Sequence, residues 1–219
     1  SWLFRHLPSG DHWYLLYKYR LGHFDPMLRK YLKDSSLEQL PIPVNTITVD
    51  LISGKAIVRE AGDSTHAITE SINLPVLSVP INRDGKALVD GGFINNVPAD
   101  ILISKGCNFI IAVSVTEEIE QAFAQNTADT PTEKMKKASI LQTIMRTSLV
   151  QNVNMNSVGV QPADFVIAPD VKTFDITEFS RADEMAAIGE QTMRKSIPQI
   201  KQLLAKIDPK LFAQNDDCE

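Results

Sequence analysis

Apolar and polar residues alternate from Val44 to Leu51, V-N-T-I-T-V-D-L, with β-branched side chains in most places, a pattern that predicts a β-strand. Beyond Ser53-Gly54, the run from Lys55 to Glu60 is its expected hairpin partner. Gly62-Asp63 marks the start of a helix from Ser64 to Asn73. Leu74-Pro75 ends it, because a residue before proline avoids the helical region. Ala87 to Val89 is a short apolar strand running straight into Asp90-Gly91-Gly92. Asn96, Val97 and Pro98 then open a helix that reaches Lys105, with Gly106 as its cap. The near-continuous apolar run F-I-I-A-V-S-V, Phe109 to Val115, has the character of a strand buried on both faces. Strand, helix and strand in this order read as a βαβ unit, whose crossover helix lies on one face of a parallel sheet.

Asp25-Pro26 reads as a cap followed by proline in the first turn, opening a short helix through Leu32. Downstream, Thr116 to Lys137 is biased to Gln, Asn, Thr and Glu and reads as a mobile loop. Lys134 to Asn156 is helical by composition, Asp164 to Ala168 is a short strand, and Asp183 to Ile207 is a long helix that Pro198 should kink. There is no internal repeat. The expected fold class is α/β, a three-layer sandwich with a largely parallel central sheet flanked by helices. Residues 1–43 form an aromatic and basic helical segment, a candidate lid or membrane-facing layer. Residues 44–207 form the α/β core and 208–219 a tail.

Composition narrows the chemistry. The 219 residues are 43% hydrophobic and 22% charged, enough for one globular domain with a real core. A net charge of −5 argues against a nucleic-acid partner, which would need a basic face. Cys107 and Cys218 alone give neither a disulfide framework nor a thiolate metal site, which fits a reducing, cytoplasmic compartment. No apolar run approaches the roughly 20 residues that span a bilayer. His6, His12, His23 and His66 all precede the second half, so a hydrolase that places its histidine last in chain order is excluded. There is no H-E-x-x-H, no G-x-G-x-x-G and no phosphate-cradling P-loop, which counts against metal, dinucleotide and nucleotide sites. The residues up to Lys33 hold both tryptophans and six Lys/Arg against two acids. That mixture suits the headgroup layer of a membrane, or equally a helical layer packed on the core.

Asp90 sits where open α/β sheets keep their active residues, just past the carboxyl end of a strand. A carboxylate there can accept a proton directly from a serine hydroxyl, with no histidine required. Gly91 and Gly92 allow close approach of substrate backbone or side chains. Asn95 and Asn96 add amide donors. The alternative is a plain tight turn in which Asp90 satisfies neighbouring N–H groups.

The stretch L-V-D-G-G-F-I-N-N-V-P-A-D-I-L-I-S-K-G-C-N-F-I-I-A-V-S-V, Leu88 to Val115, resembles the carboxyl-terminal signature of patatin-like phospholipases, including their neuropathy target esterase-like branch. H-A-I-T-E-S-I-N-L-P-V-L-S-V-P-I, His66 to Ile81, is similar to the family's segment before its catalytic aspartate, and Ala163 to Asp170 resembles its last strand more loosely. The resemblance runs from about Val44 to Lys206. It implies that Asp90 is the aspartate of a Ser-Asp dyad, that Gly91, Gly92, Asn95 and Asn96 border the substrate, and that no metal or organic cofactor takes part. It also implies a phospholipid or lysophospholipid substrate and peripheral contact with a membrane.

The family places a glycine-rich loop and a G-x-S-x-G serine elbow upstream of this region, and the sequence contains neither. Gly62-Asp63-Ser64-Thr65-His66 is the nearest string, but it falls downstream of the family's nucleophile and ends in histidine. The expectation is therefore a carboxyl-terminal portion whose N-terminal part is missing. Such a portion should be inactive alone and adhesive through uncovered strand flanks. The alternatives are a complementing chain, a non-catalytic lipid-binding or scaffolding domain of the same fold, and an unrelated nucleotide-binding module.

Overall fold

A computed structural model describes residues 25–75, 78–115, 119–174 and 181–212. The chain divides into two compact units, Ser1–Asn96 and Val97–Glu219. Trp2, Trp13 and Tyr17 of the aromatic segment lie outside the described residues.

In the first unit, residues 25–32 are helical (α1), as Asp25-Pro26 predicts. They are followed by β1 (Thr46–Asp50), β2 (Lys55–Arg59), α2 (Ser64–Ser71), β3 (Ile81–Arg83) and β4 (Lys86–Asp90). The strands form one sheet in the order β2-β1-β4-β3, and every pairing is antiparallel. The helices and sheets fit an α/β class, but the expectation of a largely parallel sheet is corrected here. Link length is the physical reason. β1 and β2 are joined by four residues with Gly54 at φ +69°, and β3 and β4 by Asp84-Gly85 at φ +50° and +72°. Two central residues with positive φ make the primed turn that suits the twist of a hairpin, and such short links leave no room for a crossover helix. β4 takes both its neighbours from this sheet, so Ala87 to Val89 and Phe109 to Val115 do not form the expected βαβ unit.

β1 is buried on both faces: Ile47 and Val49 on one side, Thr48 and Asp50 on the other. Leu88 and Val89 of β4, Ala67 of α2 and Leu37 complete the core of this unit. Helix α2 starts where Asp63 accepts the His66 N–H at 2.8 Å, and it is fastened to the sheet by the Ser71 hydroxyl, which donates to the Ile47 carbonyl at 2.8 Å. Glu70, fully buried on α2, ties the two edge strands together. It pairs with Arg59 of β2 at 2.6 Å and with Arg83 of β3 at 2.9 Å. These are ion pairs by distance, without the alignment of hydrogen bonds. Burial pushes the Glu70 carboxyl above the usual range, against the pull of both guanidinium groups. Residues 25–36 are anchored to α2 at both ends, through Arg29–Asp63 at its cap, 3.2 Å, and the Thr69 hydroxyl in its last turn, which donates to Asp25 at 2.8 Å.

The second unit contains α3 (Ala99–Ser104), β5 (Ile111–Val113), β6 (Ala122–Phe123), β7 (Asn126–Thr127), α4 (Ile140–Gly159), β8 (Phe165–Ile167) and α5 (Ala182–Ile207). β5 and β8 make the one parallel pairing among the described residues. The strand expected over Phe109 to Val115 is shorter and not buried on both faces. Ala112 is buried, whereas Ile111 and Val113 point to the opposite face and are exposed. Of the stretch expected as a mobile loop, Thr116 to Lys137, the first three residues lie outside the described residues, and the rest holds local structure. Ala124 and Gln125, at φ +51° and +65°, turn a β6–β7 hairpin, and the Asn126 amide clamps the Lys136 backbone at 2.7 and 2.9 Å. Helix α4 begins at Ile140 rather than Lys134 because Ser139 and Gln142 form a reciprocal capping box. Helix α5 continues through Pro198. No helix among the described residues is long and apolar enough to cross a membrane.

Candidate active site

Asp90 is the last residue of β4, opposite Thr48 of β1, and it caps the 3-10 turn Gly91–Phe93. Its backbone N–H donates to the Asn73 carbonyl at 2.9 Å. Its carboxylate accepts the Gly92 N–H at 2.7 Å, the one hydrogen bond it receives among the described residues. A carboxylate has about four lone-pair sites, so most of its accepting capacity is unspent. Burial pushes its pKa above the ordinary aspartate value, and the Gly92 N–H pulls the other way.

Asp50, at the end of β1 in the same sheet, is the useful contrast. It accepts from the Ser53 hydroxyl at 2.7 Å and from the N–H groups of Ile52, Ser53 and Ala87 at 3.0 to 3.1 Å. These bonds, the Ser53 hydroxyl foremost, hold its carboxyl down to about 2. Asp50 is thus a saturated acid that locks a hairpin, whereas Asp90 keeps capacity for an incoming proton donor.

The turn after Asp90 is held by close packing. A Cβ on Gly91 would lie 2.3 Å from the Ile47 carbonyl oxygen and 2.8 Å from its Cγ2, so only glycine fits. Gly91 is buried against β1, while Gly92 lies nearer the surface. A Cβ on Gly92 would stand 3.0 Å from Asn96 Oδ1 and 3.2 Å from Asp90 Oδ1, which puts the Asn96 amide and the Asp90 carboxylate around the same glycine. The Asn95 N–H donates to the Gly91 carbonyl at 3.0 Å and closes the turn. Phe93 and Ile94, both exposed, offer apolar surface beside the acid.

Ser64 is not placed as a nucleophile. It is fully buried, and its hydroxyl donates to the Ser35 carbonyl at 2.8 Å. No group of three or more His, Cys, Asp or Glu that could hold a metal ion occurs among the described residues.

Sequence reasoning passed over two supporting residues. Asn73, almost wholly buried, donates from Nδ2 to the carbonyls of Val79 and Leu88 at 3.1 Å each while its own carbonyl receives Asp90. Its only sequence signal is an asparagine ahead of Leu74-Pro75. Thr48 packs beside Asp90 across the ladder with its hydroxyl buried and unpartnered.

Comparison with known proteins places this constellation in context. The family model for patatin-like phospholipases matches residues 8–103, a span that includes Asp90 and every residue around it. Patatin-like phospholipase domain-containing protein 7 of Mus musculus is 25% identical over 187 residues, covering 77% of this chain and 14% of the relative. Patatin-like phospholipase domain-containing protein 6 of Mus musculus is 31% identical over 99 residues, 44% of this chain and 7% of the relative. An uncharacterized NTE family protein of Mycobacterium tuberculosis is 29% identical over 96 residues, 44% of this chain and 16% of the relative. The chain therefore spans less than a fifth of the length of these curated relatives. The matched segment, which covers α1 through most of α3, is similar to the patatin-like phospholipases, and the relatives that share it include proteins of the NTE family.

Proposed function

We propose that the chain supplies the acid of a Ser-Asp dyad in a lipid acyl hydrolase, with Asp90 as general base and the serine contributed from outside these 219 residues. The carrying observation is the state of the Asp90 carboxylate. It is partly buried, raised in pKa and bonded by a single N–H, at a strand end whose following glycine admits no side chain. A carboxylate raised by burial is a stronger base than a free aspartate.

In this reading Asp90 takes the serine proton as the serine oxygen attacks the acyl carbonyl. Backbone donors of a glycine-rich segment, also outside this chain, hold the oxyanion. Asp90 passes that proton to the departing alcohol oxygen of the lipid as the acyl-serine forms, then takes a proton from the water that attacks the acyl-serine and returns it to the serine oxygen as the fatty acid leaves. Gly92 and Asn96 border the substrate, Asn95 and Gly91 hold the turn, and Phe93 and Ile94 take the first part of an acyl chain. The substrate class is a phospholipid or lysophospholipid. Residues 1–43 would face the membrane through Trp13 and Tyr17.

The test uses the intact protein that contains this chain. A fluorophosphonate probe should label one serine, and Asp90→Asn should lower ester hydrolysis by at least a hundred-fold with the fold retained. The acid limb of kcat/KM should lie above the ordinary aspartate pKa of about 3.9, activity falling as pH drops through the raised value. Full hydrolysis by Asp90→Asn would refute the dyad. A native protein that neither labels nor hydrolyses would favour the lipid-binding or scaffolding alternative.

A further inference from the structure

Residues 134–163 contain Lys134, Lys136, Lys137 and Arg146 and no acidic residue, in a chain whose net charge is −5. This stretch carries +4 and leaves −9 for everything else. It is also where α4 presents aliphatic side chains to solvent. Every residue from 140 to 145 is exposed. Ile140 is 82% exposed, and Leu141, Ile144 and Met145 are 45–52% exposed. At 100° per residue these four occupy one sector of the first two turns of α4. Met135, half exposed, extends it toward the lysines.

The base of this projection is fixed. Asn126 clamps the Lys136 backbone, and Arg146 donates to the Glu120 carbonyl while its guanidinium lies 5.9 Å from the centre of the Phe123 ring. Lys134 and Lys137, by contrast, have no ion pair among the described residues, and all of residues 134–137 are exposed. Glu133 and Asp164 border the run at its two ends.

We infer that the start of α4 and its preceding lysines form a docking surface for an anionic lipid interface. Four aliphatic side chains beside unpaired lysines match such a surface on both counts: apolar groups enter the acyl boundary and ammonium groups meet acidic headgroups. A second copy seated face to face is disfavoured by charge, since the same +4 stretch would meet itself. A nucleic acid has no use for the exposed isoleucines. The inference stands on charge and exposure alone and does not rest on the hydrolase reading.

Vesicles of ether-linked phospholipids, which contain no acyl ester to cleave, separate docking from hydrolysis. The full chain should cosediment with ether-linked phosphatidylcholine containing phosphatidylserine, far less with phosphatidylcholine alone, and less as salt rises. Ile140→Ser/Ile144→Ser should weaken binding at least ten-fold. Lys134→Glu/Lys137→Glu should weaken it about thirty-fold or more, since each basic residue at such a surface is worth roughly five-fold. All four positions are exposed, and circular dichroism checks that helix content is unchanged. Three outcomes would overturn the proposal. One is no binding to anionic vesicles. Another is binding lost in Trp13→Ala/Tyr17→Ala but untouched by the α4 changes. The third is a soluble dimer that Ile140→Ser/Ile144→Ser makes monomeric while neither form binds vesicles.

Discussion

Gly91→Ala tests whether the turn after Asp90 is set by packing against β1. The added Cβ would meet the Ile47 carbonyl oxygen at 2.3 Å and the carbonyl carbon at 2.6 Å, about 1 Å inside ordinary contact. Ile47 cannot swing away. Its side chain is buried, its strand is paired on both sides, and its carbonyl also receives the Ser71 hydroxyl at 2.8 Å. Overpacking of this kind costs about 1–3 kcal/mol, and disturbing the Ser71 bond adds about 0.5–1.5 kcal/mol. At roughly 2–4 °C per kcal/mol for a domain of this size, the melting temperature should fall by about 5–15 °C. Gly92→Ala is the control. Its Cβ would meet Asn96 Oδ1 at 3.0 Å, the end of a side chain that can give, so it should stay within about 1 kcal/mol of wild type. If the Ser71 bond carries part of the cost, Gly91→Ala in a Ser71→Ala background should lose less than the sum of the two single changes. In the intact protein a shift near 1 Å at the acid should also lower turnover by about a hundred-fold. A Gly91→Ala chain melting within 2 °C of wild type, by about the precision of calorimetry, would refute the packing account.

The two strand-end aspartates should part company in stability. Asp50 titrates near 2, below its unfolded value, so its contribution is complete above about pH 4 and is lost as pH falls toward 2. Asp50→Asn should therefore lower the urea midpoint at pH 7 and flatten that acid slope, whereas Asp90→Asn, which removes a carboxyl raised by burial, should leave the midpoint unchanged or higher. Glu70→Gln removes the charge that offsets Arg59 and Arg83. Breaking a buried pair from one side costs about 3 kcal/mol, and calorimetry should show a melting temperature about 6–12 °C lower. A midpoint shift below roughly 2 °C would mean that both arginines simply turn to water.

What was legible in the sequence was local. Alternation fixed β1, Ser53-Gly54 the hairpin, Asp63 the cap of α2, and Gly106, at φ +83°, the turn after α3. Asp90 stood out because a carboxylate at a strand end beside two glycines carries chemistry in its own residue types. Asp84-Gly85 was equally local, a primed-turn pair between short strands. Reading it would have placed β3 beside β4 and removed the expected βαβ unit.

Other features have no local signature. Glu70 looks like an ordinary helix-surface acid until β2 and β3 turn out to be the two edges of one sheet, with Arg59 and Arg83 both within its reach. Phe109 to Val115 has the composition of a central strand, but burial is decided by what lies on each face, and in this chain one face of Ile111 and Val113 meets solvent. The distinction between Asp50 and Asp90 is of the same kind. Each is an aspartate ending an apolar strand, and composition cannot tell them apart. Four donors on one and a single N–H on the other separate a structural carboxylate from one free to accept a proton. The capacity for chemistry is therefore set less by the residue than by how many of its lone pairs the fold leaves unspent.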